Sequence, residues 1–251
     1  MDKMIFTSLN SIQNLYDQRF NISQNMANIS VPGYRRELPN EGGSAFLEQY
    51  QKLGPRAYAL ETGPSQFSLK KGSLNLSGNK TDVAITNDSF MLAENENGEL
   101  VFTRRGDLQV SADGILKNGA GDNILSENLA QIQLPFFSDI KITRYGEILL
   151  DTAQSPSGIF SPFGIISSVD PSGFNLLKDT DGKIKHFGEK EVAADQSGEF
   201  VQGSLELSNV NPVVEMVASI DNQRQFELNM KLIKAAEEAD RSGMSLLKIS
   251  Q

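Results

Sequence analysis

The stretch that decides the fold lies near the C-terminal end and reads Ser208-Asn-Val-Asn-Pro-Val-Val-Glu-Met216. Asn211 and Pro212 predict a helix start, because Asn caps free backbone N–H groups and Pro has no N–H to lose at the first helical position. Glu215 then falls in the first turn, where the helix dipole favours an anion. Gly243 is the single breaker in the helical pattern that follows. We therefore expect a C-terminal helix of roughly 50 Å.

This C-terminal helix has two apolar rows. The first row contains Val213, Val217, Leu228, Leu232, Ala235 and Ala239, and the second contains Met216, Ile220, Phe226, Met230 and Ile233. A helix that is buried on one side of its own domain needs one apolar stripe. The extra row therefore indicates contact with another subunit, and a long core helix in an α+β protein is the alternative.

The other end of the chain predicts a second amphipathic helix. Residues 3–29 contain neither Gly nor Pro, and their apolar side chains recur at helical spacing: Ile5, Leu9, Ile12, Leu15, Ile22, Met26 and Ile29. Pro32 and Gly33 end this helix. Neither helix could hide its stripe alone, so we expect the two to pair as a coiled-coil-like element. Both helices are expected to fray in the free monomer, because their stripes lack partners before assembly.

The region between the helices has a β pattern. Turn pairs such as Asn97-Gly98 and Asp113-Gly114 separate short apolar or alternating runs. The expected fold is α+β, with a mainly-β domain, an antiparallel irregular sandwich or barrel, inserted between the terminal helices. Residues 1–35 and 208–251 would form the helical part and residues 36–207 the β domain. A short helix is expected near 46–53.

Composition excludes several classes of function. The net charge of −9 and pI near 4.8 oppose a nucleic-acid surface. No apolar run approaches the roughly 20 residues of a membrane-spanning helix, and no cleavable signal is recognisable at the N-terminus. The chain has no Cys and a single His, and lacks the common nucleophile and phosphate-binding motifs. Asp179-Thr-Asp-Gly-Lys183 lacks ligands that a calcium loop needs. We therefore expect no catalytic site, cofactor or metal.

Two blocks at opposite ends resemble the flagellar rod and hook protein family. The first block matches at Ala27, Asn28, Pro32, Gly33, Tyr34 and Arg35, with Val31 where Thr is usual. The second matches at Ser208, Asn209, Val210, Asn211, Glu215 and Met216, followed by Arg224, Phe226 and Glu227. Two middle segments, 72–85 and 102–114, are similar to the family more loosely.

The resemblance implies a non-enzymatic axial part of the bacterial flagellum. Such a protein assembles with itself and with other rod proteins through its terminal helices, where Ile220 and Phe226 are the expected interface residues, and transmits torque. It would be exported by the type III flagellar export apparatus without a cleavable signal and would lie in the basal-body rod that crosses the periplasm, without direct membrane insertion. Chain length and the opening Met1-Asp2 are most similar to proximal rod members. Distal rod or other hook and basal-body axial proteins, and a non-flagellar helix-assembled binding module, are the alternatives.

Overall fold

The computed structural model of the chain describes residues 2–38, 65–152 and 159–248. These residues group into two compact units. A helical unit takes its described residues from Met1–Ala27, Glu37–Gly63 and Asn211–Gln251, and a β unit takes them from Asn28–Arg36 and Pro64–Val210. The short helix expected near 46–53 lies outside the described residues.

The helical unit contains two long helices, α1 (Asp2–Ala27) and α2 (Pro212–Lys248). The predicted helices at the two ends of the chain are therefore confirmed. Gly243 lies inside α2, where its cost of about 1 kcal/mol relative to Ala is too small to break a helix of 37 residues. No helix in the described part of the chain is long and apolar enough to cross a membrane.

The β unit is built from short strands joined by tight turns. In chain order they are β1 (Leu74–Leu76), β2 (Val83–Ile85), β3 (Phe90–Glu94), β4 (Leu100–Thr103), β5 (Leu108–Val110), β6 (Leu116–Asn118), β7 (Asn123–Ile124), β8 (Asp139–Ile142), β9 (Glu147–Asp151), β10 (Ser161–Ile165), β11 (Ser168–Val169), β12 (Leu176–Lys178), β13 (Ile184–His186), β14 (Phe200–Gln202) and β15 (Ser204–Glu206).

The strands pair antiparallel in four sheets. The largest has eight strands in the order β12-β13-β4-β3-β7-β6-β5, with β11 also paired to β3. A second sheet has the order β10-β9-β8, and two-stranded sheets are formed by β14 with β2 and by β1 with β15. No sheet closes into a barrel within the described ranges. The prediction of an antiparallel, mainly-β domain is confirmed, and the barrel form is not.

Strand β3 lies at the centre of the unit and is buried on both faces. Met91 and Ala93 point into a core that they share with Val83, Ile85 and side chains of β5 to β9. Phe90 and Leu92 point into a second core with Phe102. A strand with two buried faces has a continuous apolar sequence, which is why the stretch Phe-Met-Leu-Ala shows no alternation.

The chain reaches the helices from the β unit through two segments that lie side by side. The first is 28–36, which groups with the strands rather than with α1, and the second is β15 with the residues that follow it. Strands β14 and β15 have three residues each and mix apolar with polar side chains, so the sequence alone shows little periodicity there.

Candidate assembly surface

Helices α1 and α2 contact each other through a mixed polar and apolar seam. Asn222 Nδ2 donates a hydrogen bond of 3.0 Å to the backbone oxygen of Leu15, and both residues are buried. Two turns further along α2, Asn229 Nδ2 donates a hydrogen bond to Ser11 Oγ at 3.0 Å. The ring of Phe226 packs edge-on against Tyr16, with ring centroids 5.9 Å apart. The seven-residue spacing of the two asparagines puts them on one face of α2.

A second face of α2 is apolar and exposed to solvent. Its exposed side chains are Val213, Val214, Met216, Val217, Ile220, Leu228 and Leu232. Val213 keeps 66% of its surface and Leu228 59%, so much of their apolar surface is not covered by packing within the chain. Phe226 and Ile233 of the second predicted row are half-buried instead. We call the seven exposed side chains Val213, Val214, Met216, Val217, Ile220, Leu228 and Leu232 the outer face of α2.

The start of α2 is capped as its sequence predicts. Asn211 Oδ1 accepts hydrogen bonds from the backbone N–H groups of Val213 and Val214, at 3.0 and 3.3 Å. Glu215 in the first turn is fully buried, whereas Met216 beside it is exposed. The two side chains of the motif therefore have different environments, and Met216 belongs to the outer face.

The charged residues of the downstream block lie at the surface of α2. Arg224 Nη1 lies 3.8 Å from Asp221 Oδ1, and both side chains are exposed. Glu227 Oε1 accepts a hydrogen bond from Gln223 Nε2 at 3.3 Å. Exposed pairs of this kind contribute about 0.3–0.5 kcal/mol to a helix, so their direct contribution to folding is small.

In the β unit, the segment after α1 is held closely against β15. Ala27 is the last residue of α1, and a turn follows in which Val31 N–H donates to the Asn28 backbone oxygen at 3.2 Å. Gly33 has φ +67° and its N–H donates to the Glu206 backbone oxygen at 2.7 Å. A β-carbon at Gly33 would collide with the backbone oxygen of Arg104. Glycine is thus required here by conformation and by space.

Asn209 joins the two connecting segments. Its Oδ1 accepts a hydrogen bond of 2.6 Å from Arg36 N–H, and its own N–H donates to the Tyr34 backbone oxygen at 3.3 Å. Its amide nitrogen donates to the backbone oxygen of Lys70 at 2.6 Å. One side chain therefore fixes the segment after α1 to the segment before α2, although the two are far apart in sequence.

Three charged side chains are buried beneath these segments. Glu206 lies between Arg35 and Arg104, with Oε1 3.0 Å from Arg35 Nη2 and Oε2 2.5 Å from Arg104 Nε, and all three side chains are about 2% exposed or less. Arg104 also donates to the backbone oxygens of Ile85 and Ser89, at 2.5 Å each. Burial lowers the pKa of Arg35 to about 10, and the nearby Glu206 carboxylate opposes that shift.

Aromatic rings cover two of these cations and a third nearby. The guanidinium carbons of Arg35 and Arg104 lie 6.0 and 5.7 Å from the centre of the Phe90 ring. The ammonium of Lys178, which is buried, lies 3.6 Å from the centre of the Tyr34 ring. Tyr34 therefore contributes a cation–π contact of about 2 kcal/mol where the cation is desolvated.

Sequence reasoning missed five residues of this surface and of the buried cluster: Glu206, Arg104, Lys178, Asn222 and Asn229. Glu206 lies just before the block at residues 208–216 and Arg104 lies within the segment 102–114, but a single sequence does not show that they meet. The two asparagines at seven-residue spacing are the one signal that was readable, since polar residues at such positions specify helix pairing.

The acidic turn at Asp179 is occupied by a cation of the chain itself. Lys185 Nζ lies 2.7 Å from Asp179 Oδ2, 3.0 Å from Asp181 Oδ2 and 2.8 Å from Glu99 Oε2. The hydrogen bond from Lys185 holds the pKa of Asp179 below its usual range. Within the described residues, no group of His, Asp and Glu side chains is arranged to hold a metal ion.

Comparison with known proteins assigns the chain to a class. Residues 201–246 match the family described as flagellar basal body rod FlgEFG protein C-terminal, and residues 84–150 match the flagellar hook protein FlgE/F/G D1 domain. The first match covers most of β14, all of β15 and most of α2, and the second covers most of β2, all of β3 to β8 and most of β9. Both regions are thus similar to the flagellar rod and hook protein family.

Within that family the chain is similar over its full length to the rod proteins named FlgF. It is 29% identical to the flagellar basal-body rod protein FlgF of Salmonella typhimurium and 27% identical to that of Escherichia coli, with 100% of each chain covered. It is also 29% identical to the flagellar basal-body rod protein FlgG of Agrobacterium fabrum, over 86% of this chain and 88% of that protein.

Proposed function

We propose that this protein is a structural component of the flagellar basal-body rod that assembles through its terminal helices. The observation that carries the proposal is the outer face of α2, whose apolar side chains are exposed along a helix otherwise engaged with α1. Full burial of an exposed side chain of this size is worth about 1.5–3 kcal/mol. These side chains keep 48–66% of their surface, so a neighbouring subunit that covers them gains a part of that free energy from each. The full-length similarity to rod proteins supplies the class of neighbour.

Within the rod we propose the proximal position. The FlgF of Salmonella typhimurium aligns over 100% of both chains, whereas the FlgG of Agrobacterium fabrum aligns over 86% of this chain at the same 29% identity. Coverage rather than identity therefore favours the proximal member. The distal rod position is the alternative, and the location of tagged subunits in isolated basal bodies separates the two.

The proposed role is mechanical and not catalytic. Repeated contacts of moderate size between helices would transmit torque along the axis without a reaction at any one site. The coiled-coil-like pairing of α1 and α2 is part of this proposal and is supported by the Asn222 and Asn229 hydrogen bonds. Family resemblance further implies delivery by the flagellar export apparatus, without a cleavable signal, to a rod that crosses the periplasm.

The test is to place two carboxylates on the outer face. Val217→Asp with Ile220→Asp should abolish swarming and remove the subunit from purified basal bodies, because the charges would be buried unpaired between subunits. Phe226 is a poorer choice, since it packs on Tyr16 and its loss would also disturb the helix pair. Circular dichroism of the purified variant should match that of the parent chain.

The matched control adds the same two charges at exposed polar positions of α2. Ser219→Asp with Gln225→Asp should leave motility and incorporation intact. Normal motility of the Val217 and Ile220 variant would refute the assembly assignment. A stable free oligomer of the parent chain that fails to enter basal bodies would instead support the non-flagellar binding module.

A further inference from the structure

Strand β1 presents an open, uncharged edge on the β unit. It pairs with β15 on one side, and no strand of the described chain pairs on the other. All three of its residues are exposed, with Leu74 keeping 51% and Leu76 79% of its surface. Natural proteins keep exposed edge strands short, as this three-residue strand is, and protect them with charges or proline. Residues 72–79 contain neither.

The pairing register shows which backbone groups face outward. Leu207 N–H donates to the Ser73 oxygen and Ser77 N–H donates to the Gly203 oxygen, at 2.8 and 2.9 Å. Antiparallel strands alternate between hydrogen-bonded and non-hydrogen-bonded pairs, so Ser73, Asn75 and Ser77 face β15. The N–H and C=O groups of Leu74 and Leu76 therefore point to the open edge.

This edge is complementary to itself. If two copies meet antiparallel with Asn75 opposite Asn75, Leu74 of each copy faces Leu76 of the other as a hydrogen-bonded pair. Four backbone hydrogen bonds then form, and the four leucines lie on one face of the joined sheet, because opposite residues in a ladder share a face. Such a contact has two-fold symmetry and uses the same patch on both copies.

Charge also favours a second copy at this place. The chain carries a net charge of −9, which opposes self-association over most of its surface. The edge itself is neutral. Of the lysines that flank it, Lys71 pairs with Asp88 at 3.1 Å and Lys80 with Asp139 at 2.6 Å, whereas Lys70 is exposed and outside these two pairs. The three strand residues that would pair carry no charge, so two copies can approach edge to edge without like charges within the ladder itself.

We propose that β1 is a second association site of this protein, at which two copies join into a continuous four-stranded sheet β15-β1-β1-β15. The contact is independent of the helices. A three-residue edge buries less than the ~1,000 Å² typical of stable complexes, so the dimer is weak in dilute solution and forms at high local concentration. Covalent trapping is therefore the suitable measurement.

The chain has no cysteine, so a single introduced thiol reports one position. Asn75→Cys places the two thiols across a non-hydrogen-bonded pair, where Cα atoms are about 4.5 Å apart and a disulfide fits. The full-length variant should form a disulfide dimer on mild oxidation. Asn79→Cys, also exposed but beyond the strand, is the matched control and should give little dimer.

Two further variants test whether the disulfide dimer forms through the open edge of β1. Adding Leu76→Pro to Asn75→Cys removes an N–H that points outward, so the fold should persist while the disulfide dimer is lost. Leu74→Glu with Leu76→Glu should lose it by charge repulsion if proline perturbs the strand. The Val217→Asp and Ile220→Asp background should keep the dimer, because the helices are not involved.

Equal dimer from Asn75→Cys and Asn79→Cys would overturn the proposal. Dimer that survives both Leu76→Pro and the double Glu variant would overturn it as well. Stronger trapping of Leu74→Cys than of Asn75→Cys would show a different register, which contradicts the two-fold pairing about Asn75.

Discussion

Arg104 Nε lies 2.5 Å from Glu206 Oε2, a buried ion pair between residues that are 102 positions apart in the chain. The same carboxylate accepts from the buried Arg35 and from Gly72 N–H at 2.8 Å. Glu206 therefore joins the segment after α1, the hairpin of β3 and β4, and the strand that leads to α2. It is the electrostatic centre of the connecting region.

Glu206→Gln should destabilise the β unit strongly. The substitution leaves two buried guanidinium groups without a counter-charge, and breaking a buried pair typically costs about 3–5 kcal/mol. Urea unfolding, monitored by circular dichroism, which needs no tryptophan, measures the change in the free energy of unfolding. Glu199→Gln is the control, because Glu199 pairs with Arg144 at the surface and its loss should cost about 1 kcal/mol or less. Equal effects of the two variants would contradict this role for Glu206.

Gly33→Ala should lower stability by more than its backbone strain alone. A residue other than glycine at φ +67° costs roughly 1–2 kcal/mol, and the added methyl group also collides with the Arg104 backbone oxygen. Gly78→Ala is matched, since Gly78 has φ +75° and no atom within 4 Å of an added β-carbon. The difference in melting temperature between Gly33→Ala and Gly78→Ala measures the effect of the close approach of residue 33 to the Arg104 backbone. Similar melting temperatures of the two variants would argue against that effect.

Asn222→Ala should weaken the pairing of α1 with α2. The Leu15 backbone oxygen loses its buried donor, which costs about 1–3 kcal/mol. We expect faster amide hydrogen exchange in both helices. Gln223→Ala removes an exposed side chain one position along and should leave the exchange rates unchanged. Unchanged exchange in Asn222→Ala would show that this hydrogen bond does not hold the helices together.

The cluster around Lys185 should make stability depend on pH. Hydrogen bonds from Lys185 hold the pKa values of Asp179 and Glu99 below their usual range. A carboxyl group with a lowered pKa in the folded state adds stability that is complete above its unfolded pKa of about 4 and is lost as pH falls. Lys185→Met should therefore flatten the fall in melting temperature below about pH 5. An identical pH profile for parent and variant would exclude the cluster as a cause.

Local features were readable from the sequence because their causes are local. Asn211 and Pro212 predict the start of α2 through capping and proline geometry, and the structure places it there. The ends of α1 and the strands β2, β3 and β4 follow similarly from breakers and apolar runs. Strands β5, β6, β14 and β15 were not predicted, because each has three residues and no continuous apolar run such as the one that reveals β2.

The helix at the C-terminal end, its cap and its double apolar character were thus determined by the sequence alone. Tertiary structure decided which apolar side chains face α1 and which remain on the outer face, since that depends on the partner helix and on the Asn222 and Asn229 hydrogen bonds. It also decided that Glu206 meets Arg35 and Arg104. Contacts between residues far apart in sequence arise from the path of the chain, which no local spacing encodes.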